Sequence, residues 1–239
     1  MSNFRQVREK LRAPDSISVR DPLAESPWLN PATVSGFSRA EPNGALIAYA
    51  ARRIGVEPVR VLDIGCGAGR NAAPLLGLGC SVLGVDLSRP MLTAAAHRAA
   101  GLRLACAPMD ALPVRDRSFN LIVAHGIWNL ARSSREFRAA IAEAARAATP
   151  GARLFVFTFS RRTLAADARA VQGESFVFTQ FSGTPQVFLT TAQLYHELAA
   201  VGFSADPDLP LRELNVPPPG AFGGNAPVIY QAGFRFERD

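Results

Sequence analysis

Residues 61–72 read VLDIGCGAGRNA, an apolar run holding one acid, then three glycines at alternate positions, then arginine and asparagine. No other stretch constrains the fold as tightly. A short, nearly continuous apolar run bounded by turn residues is a strand buried on both faces. Glycines at its end supply positive φ and let backbone approach a ligand where a Cβ would block it. The pattern is close to the dinucleotide fingerprint GxGxxG. Counted from Gly65, however, the sixth place holds Arg70, and counted from Gly67 it ends on Ala72, which that fingerprint tolerates.

The rest of the chain alternates in the same manner. Helical periodicity over 43–58 stops at Gly55 and Pro58, and the strand VRVLDIG (59–65) follows. Helix 70–79, strand 81–88 and helix 89–101 come next, the last with Ser88 as N-cap, Pro90 in its first turn and Gly101 as stop. Strand 102–108, a loop MDALPVRDRS, strand 119–126, helix 134–148, a turn TPGA and strand 153–160 complete the rhythm. Strands alternating with helices form βαβ units, hence an α/β fold with a parallel sheet covered on both faces. At 239 residues, one core with elaborations is expected.

Composition removes several classes. No apolar run is long enough for a membrane span, and the N-terminus MSNFRQVREKLRAPDS lacks the apolar region of a secretory signal. Cys66, Cys80 and Cys106 form no CxxC pair, which speaks against a disulfide framework or zinc site and fits a reducing cytoplasm. The formal charge is +6, but every basic residue except Lys10 is an arginine, spread along the chain and often beside acids, as in RDRS and SREFRAA. A solvated mixed-charge surface explains this better than a nucleic-acid footprint.

In doubly wound sheets ligands bind beyond the carboxyl ends of the strands. The second strand ends in Asp86, about 20 residues past the middle glycine, where an acid accepts from ribose hydroxyls. Asp63, beside the glycines, would repel a pyrophosphate and attract a cation. Adenosine plus a positive charge describes S-adenosylmethionine. Indeed VLDIGCGAGRNA with GVDLSRPML, LPVRDRSFNLIV and PGARLFVFTFS resembles the class I S-adenosylmethionine-dependent methyltransferases over roughly 40–160. The GCGAGRN loop resembles that of the tellurite-resistance and related small-molecule branch. The resemblance implies a Rossmann-like doubly wound sheet of seven strands, mostly parallel with an antiparallel last strand. It also implies that Asp63, Gly65 and Gly67 line the methionine end, Arg70 reaches its carboxylate, Asp86 holds the ribose, and Leu87 and Met91 flank the adenine. Arg70 as a surface residue of the first helical turn, and Met91 as core, are the alternatives.

Two positions depart from the family. Where it has an acid after the third strand, this chain has Pro108; either Asp110 substitutes from a shifted loop, or the Met109 backbone N–H and apolar packing hold the adenine. Asn120 stands where Asp is common and is expected to be structural. The segment AHGIWNLA (124–131) leaves the fourth strand on the ligand side. His125 either takes a proton from the acceptor, as an unperturbed pKa of about 6.5 allows, or packs under the cofactor and fixes the loop. Trp128 either walls the substrate site or packs on the helix, and Asn129 either orients a donor group or caps the turn. His97, Tyr195 and His196 read as surface or core residues.

Three elaborations surround this site. Residues 1–42 are an N-terminal segment in which 26–37, with Trp28 and Phe37, is placed to close as a lid over the domain 43–239. Within 161–190, GESFVFTQFSGTPQVFLT reads as a hairpin. After helix TAQLYHELAAVGF, the strands LREL and VIYQAGFRF pair across the connection 215–227. Phe176, Phe178, Phe181 and Phe222 suggest an apolar acceptor site, with core packing the reading for at least two. The expected activity is methyl transfer from S-adenosylmethionine to oxygen, nitrogen or sulfur of a small molecule, with no metal and no membrane. The alternatives are an RNA-modifying methyltransferase or a non-catalytic S-adenosylmethionine sensor; oligomeric state is open.

Overall fold

The computed structural model describes residues 26–52, 59–217 and 226–238; the expected helix stop at Gly55 and Pro58, and Phe222, lie outside them. Five strands, β1 (Arg60–Ile64), β2 (Ser81–Asp86), β3 (Arg103–Cys106), β4 (Phe119–His125) and β5 (Ala148–Phe159), run parallel in the order β3–β2–β1–β4–β5. β10 (Ile229–Phe236) lies antiparallel to β5, and β8 (Phe203–Ala205) and β9 (Arg212–Leu214) lie antiparallel to β10. The doubly wound α/β sheet is therefore as expected, with its outermost strand in two pieces.

Alternation within each strand assigns the two faces. Leu62, Ile64, Ile122, Ala124, Leu154 and Val156 join one core with Phe137, Ala140, Ile141 and Ala144 of α5 (Ser134–Ala147) and Leu194 and Leu198 of α6 (Thr191–Ala200). Val61, Leu121, Val123 and Phe155 point oppositely, toward Leu46, Tyr49 and Ala50 of α2 (Gly44–Ala51) and Ala72 and Leu75 of α3 (Ala72–Gly77). Asp63, His125 and Phe157 share this second face by parity. Helix boundaries follow local chemistry. Ser88 caps α4 (Arg89–Arg98) by accepting the Met91 N–H, Ser133 caps α5, and Thr190 with Gln193 forms a capping box on α6.

Several expectations change. Residues 31–39 form a helix, α1 (Pro31–Arg39), capped by Asn30 with proline at its first position; that pair was the readable signal. The TPGA turn lies inside β5, where Gly151 at φ 72° accompanies a register shift. Strand LREL is only half of the outer edge. Residues 206–211 loop out between β8 and β9, because Pro207 and Pro210 have no N–H for a ladder. Buried Asp206 anchors this loop, accepting the Tyr49 hydroxyl at 2.7 Å and lying 3.3 Å from Arg153 and 3.0 Å from Arg235. The expected hairpin is present as β6 (Val177–Phe178) and β7 (Gln186–Val187), a separate two-stranded sheet. Among the described residues, no helix is long and apolar enough to cross a membrane.

Candidate active site

The glycine turn leaves β1 and is tied to β2. Gly65 and Cys66 donate to the Val85 carbonyl at 2.7 and 3.0 Å, and Gly67 donates to Asp86 Oδ2 at 2.8 Å. Asp86 Oδ1 accepts the Ser88 N–H at 2.8 Å, so the acid that ends β2 shapes the first turn as well as the start of α4. Burial raises its pKa against the pull of these N–H groups. Gly65 at φ +70° admits no side chain, since an added Cβ would stand 2.6 Å from Ile127 Cβ. Gly67 at φ +52° is different: a Cβ there would meet only Phe37, at 4.0 Å. The first glycine thus serves packing, and the second leaves a cradle open.

Two charged side chains belong to the strand and turn that carry that cradle. Asp63 is buried on β1, its Oδ2 without a partner, and burial together with nearby Asp86 pushes its pKa up to about 7, against the pull of Arg70. Arg70 is half-buried, burial lowers its pKa, and among the described residues no carboxylate pairs with it. Its guanidinium lies 5.8 Å from the Phe37 ring centroid and donates to His125 Nδ1 at 3.0 Å. A buried acid with a free oxygen and a half-buried cation without a direct ion pair are each costly. An ammonium at one and a carboxylate at the other would satisfy both. The residues present therefore fit the amino-acid end of S-adenosylmethionine.

The remaining expected residues divide. Phe37 does reach the glycine turn; it packs edge-on against Trp28 with centroids 5.4 Å apart. Arg98 holds this segment by donating to the carbonyls of Phe37, Ser38 and Ala40, and Ser88 Oγ donates to the Trp28 carbonyl at 2.8 Å. Leu87 is half-buried and its carbonyl accepts the Cys106 thiol. Met109 packs against the larger core, while Asp110 is exposed. Met91, expected beside adenine, is 2% exposed and packs inward. Trp128 takes the packing alternative: the turn Trp128–Leu130 places it in the core, edge-on to Phe137 at 6.2 Å. Asn129 is buried beside it with Oδ1 unpartnered.

Phe176 and Phe178 are core, whereas Phe181 is exposed and edge-on to Phe159 and Phe188 on the hairpin side. Asn120 is structural, accepting the Arg60 N–H at 2.7 Å. An open groove of about 850 Å³ lies beyond β5, between Arg161, Thr190 and Glu213. Its charges are spent: Arg161 donates to the carbonyls of 164, 165, 166 and 168, and Arg162 pairs with Glu213. Two neighbours of His125, Asn43 and Phe157, carried no sequence signal for this site, nor did Gln231, which accepts from Asn43. Asn43 was legible only as a helix cap.

A family model described as "Methyltransferase domain" matches residues 61–151. The chain is 32% identical over 161 residues to the malonyl-[acyl-carrier protein] O-methyltransferase of Methylococcus capsulatus, an alignment covering 64% of this chain and 54% of that protein. The chain spans about half the length of the curated relatives it matches. Among solved structures it is similar to the Burkholderia thailandensis 1,6-didemethyltoxoflavin-N1-methyltransferase, determined with bound 1,6-didemethyltoxoflavin and S-adenosylhomocysteine (TM-score 0.57, 20% identity, covering 82% and 80% of the two chains). The [4+2]-cyclase SpnF shares the fold as well (TM-score 0.61, 18% identity, 92% and 94%), so the fold alone does not specify the reaction.

Proposed function

We infer, for a chain whose residues 61–151 match a methyltransferase domain model, that this protein is a class I S-adenosylmethionine-dependent methyltransferase and transfers a methyl group from S-adenosylmethionine to a small-molecule acceptor. One observation carries the reading. Asp63, whose Oδ2 has no partner, and the Arg70 guanidinium, which forms no ion pair among the described residues, lie on the strand and turn that carry the Gly67 cradle, and together they complement the zwitterionic end of that cofactor. When bound, the cofactor supplies an electrophilic methyl on a sulfonium with a good leaving group.

The chain's own part is then to bind, orient and exclude water. Asp63 accepts from the ammonium, Arg70 donates to the carboxylate, and Asp86 has lone pairs left for the ribose hydroxyls. Leu87 flanks the base, with the Met109 backbone or Asp110 reading its edge. Phe37 and Trp28 cover the turn, which fits the role of a lid for the segment ending at residue 42. Positioning of this kind can remove about 7–11 kcal/mol of barrier without a strong base. Among the described residues no cluster could hold a metal ion. The GCGAGRN loop supports the small-molecule, tellurite-resistance-like branch. The spent charges of the groove beyond β5 suit a largely uncharged acceptor.

The test is calorimetry with S-adenosylmethionine, then transfer of radiolabelled methyl onto a metabolite extract and, separately, onto RNA. Label in small molecules supports the reading. Label in RNA alone redirects it to nucleic acid, and cofactor binding with no label anywhere leaves a sensor.

A further inference from the structure

Sheet register sets three side chains in a row on the α2 face: His125 on β4 is opposite Phe157 on β5, which is opposite Gln231 on β10. The imidazole stacks on Phe157, centroids 4.1 Å apart and planes 9° from parallel. Its two nitrogens are met from different elements: Arg70 Nη2 is 3.0 Å from Nδ1, and Asn43 Nδ2 is 3.2 Å from Nε2.

Both neighbours are donors. Guanidinium has no acceptor. The Asn43 amide cannot be turned round, because its Oδ1 caps α2 by accepting from Ala45 and Leu46 and its Nδ2 donates to Gln231 Oε1 at 2.9 Å. An imidazolium would point N–H groups at a cation and at an amide N–H, so the ring is neutral. A neutral ring has one lone-pair nitrogen, and the shorter, charged donor claims it. Nδ1 therefore accepts from Arg70, and Nε2 carries the hydrogen. Burial and the Arg70 charge take the basicity of His125 down to about 3, in keeping with this arrangement.

We propose that His125 is a positioning residue whose Nδ1 lone pair aims the Arg70 guanidinium at the carboxylate of the bound cofactor, and that it takes no proton from the acceptor. This rests on the cofactor reading above. Arg70 has five N–H donors and His125 occupies one, leaving a fork for a carboxylate. Phe157 on β5 holds the ring by stacking against its face, so the clamp is braced by an element far from the glycine turn in sequence.

The test compares S-adenosylhomocysteine with 5′-methylthioadenosine, which keeps the nucleoside and lacks the amino-acid end. His125→Phe keeps the stack on Phe157 and removes the acceptor; His125→Asn puts an amide oxygen near the Nδ1 position. In calorimetry, His125→Phe should weaken S-adenosylhomocysteine about tenfold and leave methylthioadenosine within about twofold, and His125→Asn should recover most of the loss. In an Arg70→Met background, His125→Phe should have no further effect on S-adenosylhomocysteine.

Equal weakening of both ligands, no effect of His125→Phe, or no recovery in His125→Asn overturns the proposal. Thermal unfolding of each variant identifies a misfolded one, and His125→Asn in the wild-type and Arg70→Met backgrounds then decides. Wild-type protein with no affinity for either ligand overturns the cofactor reading, and this inference with it.

Discussion

Asp86 Oδ2 accepts the Gly67 N–H at 2.8 Å, so the last residue of β2 holds open the turn that follows β1. The other oxygen of the same carboxylate starts α4 through Ser88. One side chain thus sets the distance between the two walls of the candidate nucleoside site.

Asp86→Asn leaves one acceptor oxygen for two backbone N–H groups. The unsatisfied donor should cost about 1–3 kcal/mol in urea unfolding at neutral pH. Affinity for methylthioadenosine should fall at least about tenfold, because a ribose acceptor is lost with it. A variant of undiminished nucleoside affinity would remove Asp86 from the site.

The two glycines should respond oppositely to alanine. At Gly65 a Cβ would collide with Ile127 at 2.6 Å, and folding should be lost or severely weakened. Gly67→Ala should cost only the left-handed backbone penalty, about 1–2 kcal/mol, since the space is open. It should nonetheless abolish cofactor binding by filling the cradle. Circular dichroism separates the folding effects, and calorimetry tests the binding.

Asp63 ties stability and binding to pH in opposite senses. Its folded pKa of about 7 lies above the ordinary 3.8, so between those values the folded state holds a proton that the unfolded chain releases. Ligand-free protein should therefore lose stability as pH rises through that window, by an amount on the order of a few kcal/mol, and then level off. Asp63→Asn should flatten the slope in melting curves taken from pH 5 to 8. Cofactor binding should release a proton near pH 7, visible as a buffer-dependent heat, and Asp63→Asn should lose both the proton release and most of the affinity.

Acid stability should trace to the other end of the sheet. Burial opposes ionisation of Asp206, yet the Tyr49 hydroxyl, the Asp208 N–H, Arg153 and Arg235 hold its pKa below the ordinary 3.8. Its contribution is complete above that value and is lost as pH falls through the lower folded pKa. Asp206→Asn should therefore lower stability at pH 7 and leave little difference at pH 2, measured by denaturant unfolding at each pH.

Much of this was legible from local pattern. The strand, glycine turn, Asp86 and Ser88 cap interact within about one βαβ unit, where spacing and residue type dictate who meets whom. Trp128 was not, because both a ligand-facing and a core-facing aromatic satisfy the same string of letters. Gly126, at φ 72°, turns the chain so that the indole enters the core.

By itself the sequence determined the βαβ order, the glycine turn and the acids Asp63 and Asp86 beside it, since these follow from side-chain period, turn chemistry and charge at short range. Only the tertiary structure decided what surrounds His125. Its partners lie 55 residues away at Arg70 and 82 at Asn43, and Asn43 bonds Gln231 across 188 more. Contacts at such separations are set by strand register and by which helix covers which face, and no local propensity encodes either.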